Sequence, residues 1–412
     1  MLFAGQLRHG VAAVLLFVAP VVAAPMFEII DLGPTTQGGW ERMLLGAVNN
    51  AGQAIGGYRD ITDGTWRAMI WDSGHFYALA GLGGSDEGAT EINDAGVVAG
   101  YAQKMVDDGN GPKGSYEQYS GVVWTDSDSD GIADQVHDAG IPLGGNYAGC
   151  EAINNSGHMV GESTDPGDTT YGAFLWRDQN ANWVMDGGEI TPLGSLGASG
   201  ESAAWGINIH DVVCGDSEGR PFVWSEATGM VDLGLLPDTE THEYTRGMAR
   251  GINDEGTVVG RIDFSPKVGG MSSGYVAVMW TDNDGDGVAD PETITELPRL
   301  GGPSSEASAV NNLGQIVGRS ATTATGDYRA FLYEDGVTYD LNDLLLNGAG
   351  WTLYGVGDIS DTGYMVGSAE LEGGSPHLFR LSAPLIPEPV TAATVLLGLG
   401  ATIAPVRRRL RR

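Results

Sequence analysis

FEIIDLG, at residues 27–33, ends as GMVDLG does at 229–234. The later copy closes a repeat unit. The earlier one stands ahead of the first unit, with nothing before it to close. The unit is marked by an element that recurs seven times: VNNAGQAIGG (48–57), INDAGVVAG (92–100), INNSGHMVG (153–161), INIHDVVCG (207–215), INDEGTVVG (252–260), VNNLGQIVG (310–318) and ISDTGYMVG (359–367). Asn49, Asn93, Asn154, Asn208, Asn253 and Asn311 share one slot, and Ser360 fills it in the last copy. Asn-Asp/Asn-x-Gly between apolar residues is the chemistry of a tight turn, with Gly in the left-handed region and the Asn side chain holding backbone two residues on. Each element therefore reads as a β-hairpin. Its terminal Gly, inside a strand, signals close approach of a neighbouring backbone. In the fourth copy Asp211 takes the turn-Gly slot, a conformation Asp tolerates better than most residues.

A third strand follows each hairpin: RAMIW (67–71), GVVW (121–124), GAFLW (172–176), RPFVW (220–224), VAVMW (276–280), RAFLY (329–333) and HLFRL (377–381). Aromatic and β-branched residues suit a half-buried pleated surface. A fourth strand ends in Leu79, Leu143, Leu193, Leu233, Leu297 or Leu341, but HLFRL has none after it. FEIIDLG is the missing seventh, with Leu32 in the Leu slot. A chain that begins with the last strand of its last unit closes a ring, and closure removes exposed sheet edges. An open β-solenoid has shorter repeats and no split unit. The expectation is all-β: a seven-bladed β-propeller of four-stranded blades over residues 26–383, closed by strand 27–33. The unit, IN-x-x-G-x-x-VG, then an AF-x-W-like strand, then L-G, resembles the HAF-repeat extracellular proteins, although Gly172 and Arg329 stand where that pattern has His. The resemblance covers residues 27–381. It implies an exported repeat protein and supplies no catalytic residue.

The two ends agree with export. Residues 1–24 have a short basic start, an apolar stretch and small residues, the pattern of a signal peptide, with cleavage expected after Ala23. The C-terminal segment, 384–412, carries Pro387-Glu388-Pro389, an apolar run from Val390 to Val406, and Arg407, Arg408, Arg409, Arg411 and Arg412. A run of 17 residues is the short limit for a transmembrane helix, and the arginines would stay cytoplasmic. This tripartite order resembles the PEP-CTERM sorting signal of Gram-negative bacteria. The resemblance implies an inner-membrane-anchored intermediate, processing by an exosortase-type enzyme, and release at the surface of exopolysaccharide-producing cells.

Formal net charge is −33, and between about residues 25 and 386, without Arg8, Glu388 and the five tail arginines, 15 basic residues face 53 acidic ones. Such a body repels nucleic acid and anionic lipid and attracts cations. Cys150 and Cys214 lie in different repeats, so either two separate buried thiols or a disulfide is open.

The connection from third to fourth strand is long in three units, and each long connection is acidic: TDSDSDGIAD (125–134), RDQNANWVMDGGE (177–189) and TDNDGDGVAD (281–290). Asp126, Asp128, Asp130 and Asp134, and again Asp282, Asp284, Asp286 and Asp290, fit the first nine positions of a calcium loop, with Gly131 and Gly287 at the sharp turn. Carboxylates at alternate positions converge on one point, and the carbonyls of Ile132 and Val288 would supply the seventh-position ligand. These loops resemble those of EF-hand, dockerin and thrombospondin type 3 repeats, with His137 and Thr293 in place of the bidentate Glu. The third loop offers Asp178, Asn180, Asn182, Asp186 and Glu189, with Trp183 in the Gly slot. A solvated acidic turn is the competing reading; the expectation is structural Ca2+.

No Gly-x-Ser-x-Gly elbow, phosphate loop or paired metal-binding histidines occur, and no rule selects two catalytic carboxylates among so many. Arg67, Arg220 and Arg329 precede equivalent strands, where pairing with acidic neighbours is expected. The insertion at 102–118 reads as scaffold or contact surface. The functional expectation is a non-enzymatic binding or structural module, with extracellular polysaccharide or surface proteins as partners. The alternative is a propeller glycosidase or polysaccharide lyase, which would show as blade-specific residues converging on one face of the ring.

Overall fold

The computed structural model describes residues 25–35, 40–107, 115–267, 273–323, 326–372, 374 and 376–384. The expected signal peptide, the Pro-Glu-Pro motif, the apolar helix and the basic tail lie outside them. Among the described residues no helix is long and apolar enough to cross a membrane.

Seven antiparallel sheets of four strands follow one another. Blade 1 begins with Trp40–Val48 and blade 2 with Glu87–Ile92; blades 3 to 7 begin with Ala148–Ile153, Ala203–Ile207, His242–Ile252, Ser305–Val310 and Trp351–Ile359. All seven third strands fall where expected. The last sheet has the order Ile29–Pro34, Pro376–Leu381, Met365–Leu371, Trp351–Ile359, so the N-terminal strand is its fourth strand. Ile29 pairs with Leu381 and Asp31 with Phe379, and Leu32 drops into the core at a bulge before Gly33. Leu193 sinks into the core of blade 3 at the same kind of bulge. The seam is also tied to blade 6. Asn347 accepts from the Ile29 amide at 2.8 Å and donates to its carbonyl at 3.1 Å, and Phe27, fully buried, donates to the Leu344 carbonyl at 2.9 Å.

One expected Leu is displaced. In blade 2 the slot belongs to Ala139, buried at the bulge between the Gly121–Gly140 and Val122–Asp138 pairs. Leu143 lies beyond that strand. Counting to the next Leu therefore overshoots the buried position by four residues.

The repeated Asn is buried in each of its six copies. In five copies its Oδ1 accepts from the backbone amides two and four residues on, as in Asn208 with His210 and Val212, both at 3.0 Å, and in Asn253 from the Thr257 amide at 2.9 Å. Its Nδ2 donates to the carbonyl of the equivalent residue in the next blade. Asn49 reaches Asn93, Asn93 reaches Asn154, Asn154 reaches Asn208, Asn208 reaches Asn253, Asn253 reaches Asn311 and Asn311 reaches Ser360, all within 2.9–3.2 Å. A turn residue thus becomes a belt of hydrogen bonds around the axis. At the last seam Ser360 has no amide to give, and Thr362 bonds to Asn50 instead, N–H to Oδ1 at 3.0 Å and hydroxyl to carbonyl at 3.1 Å.

The strand glycines follow from a second shared feature. Every innermost strand bulges three residues before the belt position. The bulge presses a carbonyl onto the facing Gly of the second strand. A Cβ on Gly161 would sit 1.9 Å from the Gly149 oxygen, and one on Gly260 would sit 2.0 Å from the Met248 oxygen. Any side chain there would force the two strands apart.

Candidate functional site: acidic loops at one end of the ring, a funnel at the other

The two Asp-Gly loops have one geometry. Asp126 accepts from the amides of Asp128, Ser129 and Gly131 at 3.1, 2.7 and 2.7 Å; Asp282 accepts from Asp284, Gly285 and Gly287 at the same three distances. The Gly131 and Gly287 amides lead in holding these two carboxyls below the usual carboxylate range. Asp126, Asp128 and Asp130 each place an oxygen within 4.8 Å of the others, as do Asp282, Asp284 and Asp290. Asp134 is turned to the Ser127 amide and hydroxyl, at 2.9 and 3.0 Å. Asp286 accepts from the Val288 amide at 2.9 Å. Three converging anionic oxygens are a donor set for a hard divalent cation, with carbonyls and water completing the shell. The residues at the twelfth position are engaged elsewhere: His137 bonds Thr125 at 2.9 Å, and the Thr293 hydroxyl donates to the Asp290 and Thr281 carbonyls.

The third loop has the same backbone and different chemistry. Left-handed residues fall at the fourth and sixth positions in all three loops: Ser129 and Gly131, Gly285 and Gly287, Ala181 and Trp183. Trp183 holds a φ of 56° in the Gly slot, with its ring edge-on to Trp176 at 6.4 Å. Here the side-chain amides of Asn180 and Asn182 both donate to Asp186 at 3.0 Å, and Glu189 accepts from the Gln179 amide and the Trp176 indole. Amide hydrogens occupy the acceptors that a cation would need. These residues therefore fit a metal less well than the two Asp-Gly loops do.

The loops sit against the hairpin turns of the belt. Gln53 donates to the Gly131 carbonyl at 2.8 Å, and a Cβ on Gly256 would meet the Gly287 oxygen at 2.6 Å. The Asn turns surround a narrow void of about 170 Å³. The other ends of the innermost strands open into a funnel of about 640 Å³.

The bulges point into this funnel. The bulged residues are Gly46, Thr90, Glu151, Trp205, Arg250, Ser308 and Gly357, one per blade, and all seven line it. A bulge leaves one residue out of the ladder and re-aims its side chain. Blades that agree at the Asn, at the apolar residue before it and at the strand Gly carry Gly, Thr, Glu, Trp, Arg, Ser and Gly at this position. Glycines in blades 7 and 1 leave one side open, and Glu151, Trp205 and Arg250 stand on consecutive blades opposite. The Trp205 indole N–H is fixed by Asp216 at 2.8 Å. Arg250 lies 3.5 Å from Glu306, which also takes Arg261 at 3.2 Å and Arg319 at 2.9 Å. Burial, with Glu162 behind it, pushes Glu151 up to about 7; burial, with Asp216 behind it, does the same to Glu162. Deeper along the axis Glu91 and Asp358 retain some contact with the void, but desolvation governs both. It raises Glu91 well above its usual range, with Asp358 adding to the shift, and brings Asp358 to about 6.

Sequence reasoning did not find this set. The available signal was the hypervariable position three residues before each repeated Asn. Of the flanking arginines, Arg67 pairs with Glu87 at 2.7 Å and Arg220 with Asp232 at 2.8 Å; among the described residues Arg329 has no carboxylate at ion-pair distance. Cys150 and Cys214 are separate, free and buried, and burial pushes both thiols far up.

Residues 223–371, from the third strand of blade 4 into blade 7, match the family described as "Protein of unknown function (DUF3466)". No curated protein matches the sequence. Among solved structures, the chain is similar to a putative oxidoreductase (glucose dehydrogenase) from Thermus thermophilus at 13% identity and TM-score 0.34, covering 86% of this chain and 100% of that one. It is also similar to a chain of a mitotic checkpoint complex at 12% identity and TM-score 0.35, covering 90% and 98%. The chain is an all-β protein of seven four-stranded blades, in part matched by a family of unknown function.

Proposed function

We propose that this chain is an exported, surface-associated or matrix propeller that serves as a non-enzymatic binding or structural module stiffened by calcium. The observation that carries the reading is the pair of Asp-Gly loops, each holding three carboxylate oxygens within 4.8 Å on a rigid ring. Unscreened, those charges repel; a hard cation removes the repulsion and locks the long connection that carries it. The HAF-like repeat, the amino-terminal segment and the PEP-CTERM-like tail support an exported protein anchored briefly in the inner membrane and cut near Pro387-Glu388-Pro389 by an exosortase-type enzyme. Extracellular polysaccharide or a surface protein is the partner.

The test is sedimentation of the protein with the producer's exopolysaccharide, with and without calcium, while reducing-end release is followed. Calcium-dependent pelleting without sugar release supports the reading. The blade-specific residues converging on the funnel are the sign expected of the glycosidase or lyase alternative, and release of sugar overturns the non-enzymatic part in its favour. Mass spectrometry of the protein recovered from cells checks the sorting: intact ends on an exported form would rule out processing.

A further inference from the structure

We infer that the funnel is a binding site for an uncharged glycosyl unit, built by the bulge residues Thr90, Glu151, Trp205, Arg250 and Ser308. This rests on the reading of the protein as a binding module and gives that module its ligand class. Four observations converge. The void, about 640 Å³, is in the range of small-ligand pockets and is open on the side of Gly46 and Gly357. The bulge residues that face it differ from blade to blade, although the bulge presenting them is common to all seven. A scaffold role predicts repetition at this position, as at the belt Asn; a site for an asymmetric ligand predicts the variation that is seen.

The third observation is the mixture of groups. Trp205 gives an amphipathic surface whose polar edge is already satisfied by Asp216, leaving the ring's faces for apolar C–H contact. The Ser308 hydroxyl both donates and accepts; the Thr90 hydroxyl, whose proton goes to the Cys150 carbonyl at 2.6 Å, is left to accept; Arg250 donates, and Glu151 does either according to its protonation. A pyranose presents that same pair of surfaces, a C–H face and a rim of hydroxyls. The fourth is charge. Asp86, Glu87 and Glu306 line the funnel beside Glu91 and Glu151, and among the described residues Arg250 is the only basic side chain lining it. Arg250 is itself close to Glu306. An anionic sugar would have to displace that contact and face the carboxylates, so a neutral unit is preferred.

The test is calorimetry of the full chain in a polyoxyethylene detergent, whose headgroup carries no sugar. The probes are neutral hexose and N-acetylhexosamine oligomers and, for contrast, a uronate oligomer. At least one neutral oligomer should bind, and Trp205→Ala should weaken it by about tenfold or more. Ser308→Trp, which fills the void without removing a native contact of Trp205, should do the same even if Trp205→Ala unfolds; circular dichroism reports folding of both. Val337→Ala, exposed on the outermost strand of blade 6, should leave binding unchanged. Equal affinity in wild type and a folded Ser308→Trp variant overturns the assignment, and so does a preference for the uronate. Failure of every oligomer to bind while polysaccharide still pellets refutes the funnel and spares the binding role. Oligomer binding accompanied by cleavage keeps the funnel and refutes the non-enzymatic reading.

Discussion

Asn208→Ser separates the two jobs of the repeated Asn. A serine hydroxyl can still accept from the turn amide four residues on, as Ser360 Oγ does from Tyr364 at 3.1 Å. It cannot donate to the Asn253 carbonyl, now 3.1 Å from Nδ2. That carbonyl keeps its bond from the Gly256 amide, so the loss is one hydrogen bond and a small void, about 1–2 kcal/mol. Asn208→Ala also strips the acceptor from the buried Val212 amide and the part-buried His210 amide. At about 1–3 kcal/mol for each stranded donor, the total rises to roughly 3–8 kcal/mol. Ser360→Asn runs the comparison backwards by adding a donor at the unlinked seam, a gain of about 0.5–1.5 kcal/mol. Urea titration followed by tryptophan fluorescence gives the three midpoints at one slope. Asn208→Ser matching wild type would show that the belt contributes nothing beyond the turns. Equal costs for the Ser and Ala variants would show that the hydroxyl does not replace the turn acceptor.

Millimolar calcium should raise the melting temperature, with each loop contributing about 2.7 kcal/mol at a hundredfold excess over its Kd. Asp126→Asn and Asp282→Asn should each remove part of that rise, and Asp178→Asn should not; no response to calcium refutes the metal reading. Stability should fall as pH climbs from 5 to 8. Glu91, Glu151, Glu162 and Asp358 have folded values above their usual ones. The neutral forms therefore stabilise the fold fully below the ordinary carboxyl range, and this is lost as pH rises through about 6 to 7. For Glu151 alone the effect is of order 3 kcal/mol. Glu151→Gln should flatten the profile between those limits; an unchanged slope in urea melts at pH 5, 6.5 and 8 argues against it. Leu32→Ala at the closing strand should cost about 2–4 kcal/mol, and loss of residues 26–34 should expose the Pro376–Leu381 edge and produce concentration-dependent association in ultracentrifugation. A stable monomer would refute the ring-closing role.

The sequence by itself determined the blades. Turn chemistry at Asn-Asp-x-Gly, alternation in strands such as RPFVW, and the misplaced strand at 27–33 are local signals, because backbone sterics and the side-chain period of two act over a few residues. It also marked the acidic loops, since their carboxylates converge through backbone bonds within one short segment. What only the tertiary structure decided are relations across blades. Asn49 and Asn93 are far apart in sequence, and nothing in either hairpin says that one side chain reaches the other's carbonyl. The Ala139 register depends on how the strand pairs after its long loop. The funnel is the clearest case. Thr90, Glu151, Trp205 and Arg250 are ordinary residues one by one, and the strand bulge that turns each inward is a property of pairing. Ring closure then converts seven separate positions into one cavity, and no local interaction encodes that convergence.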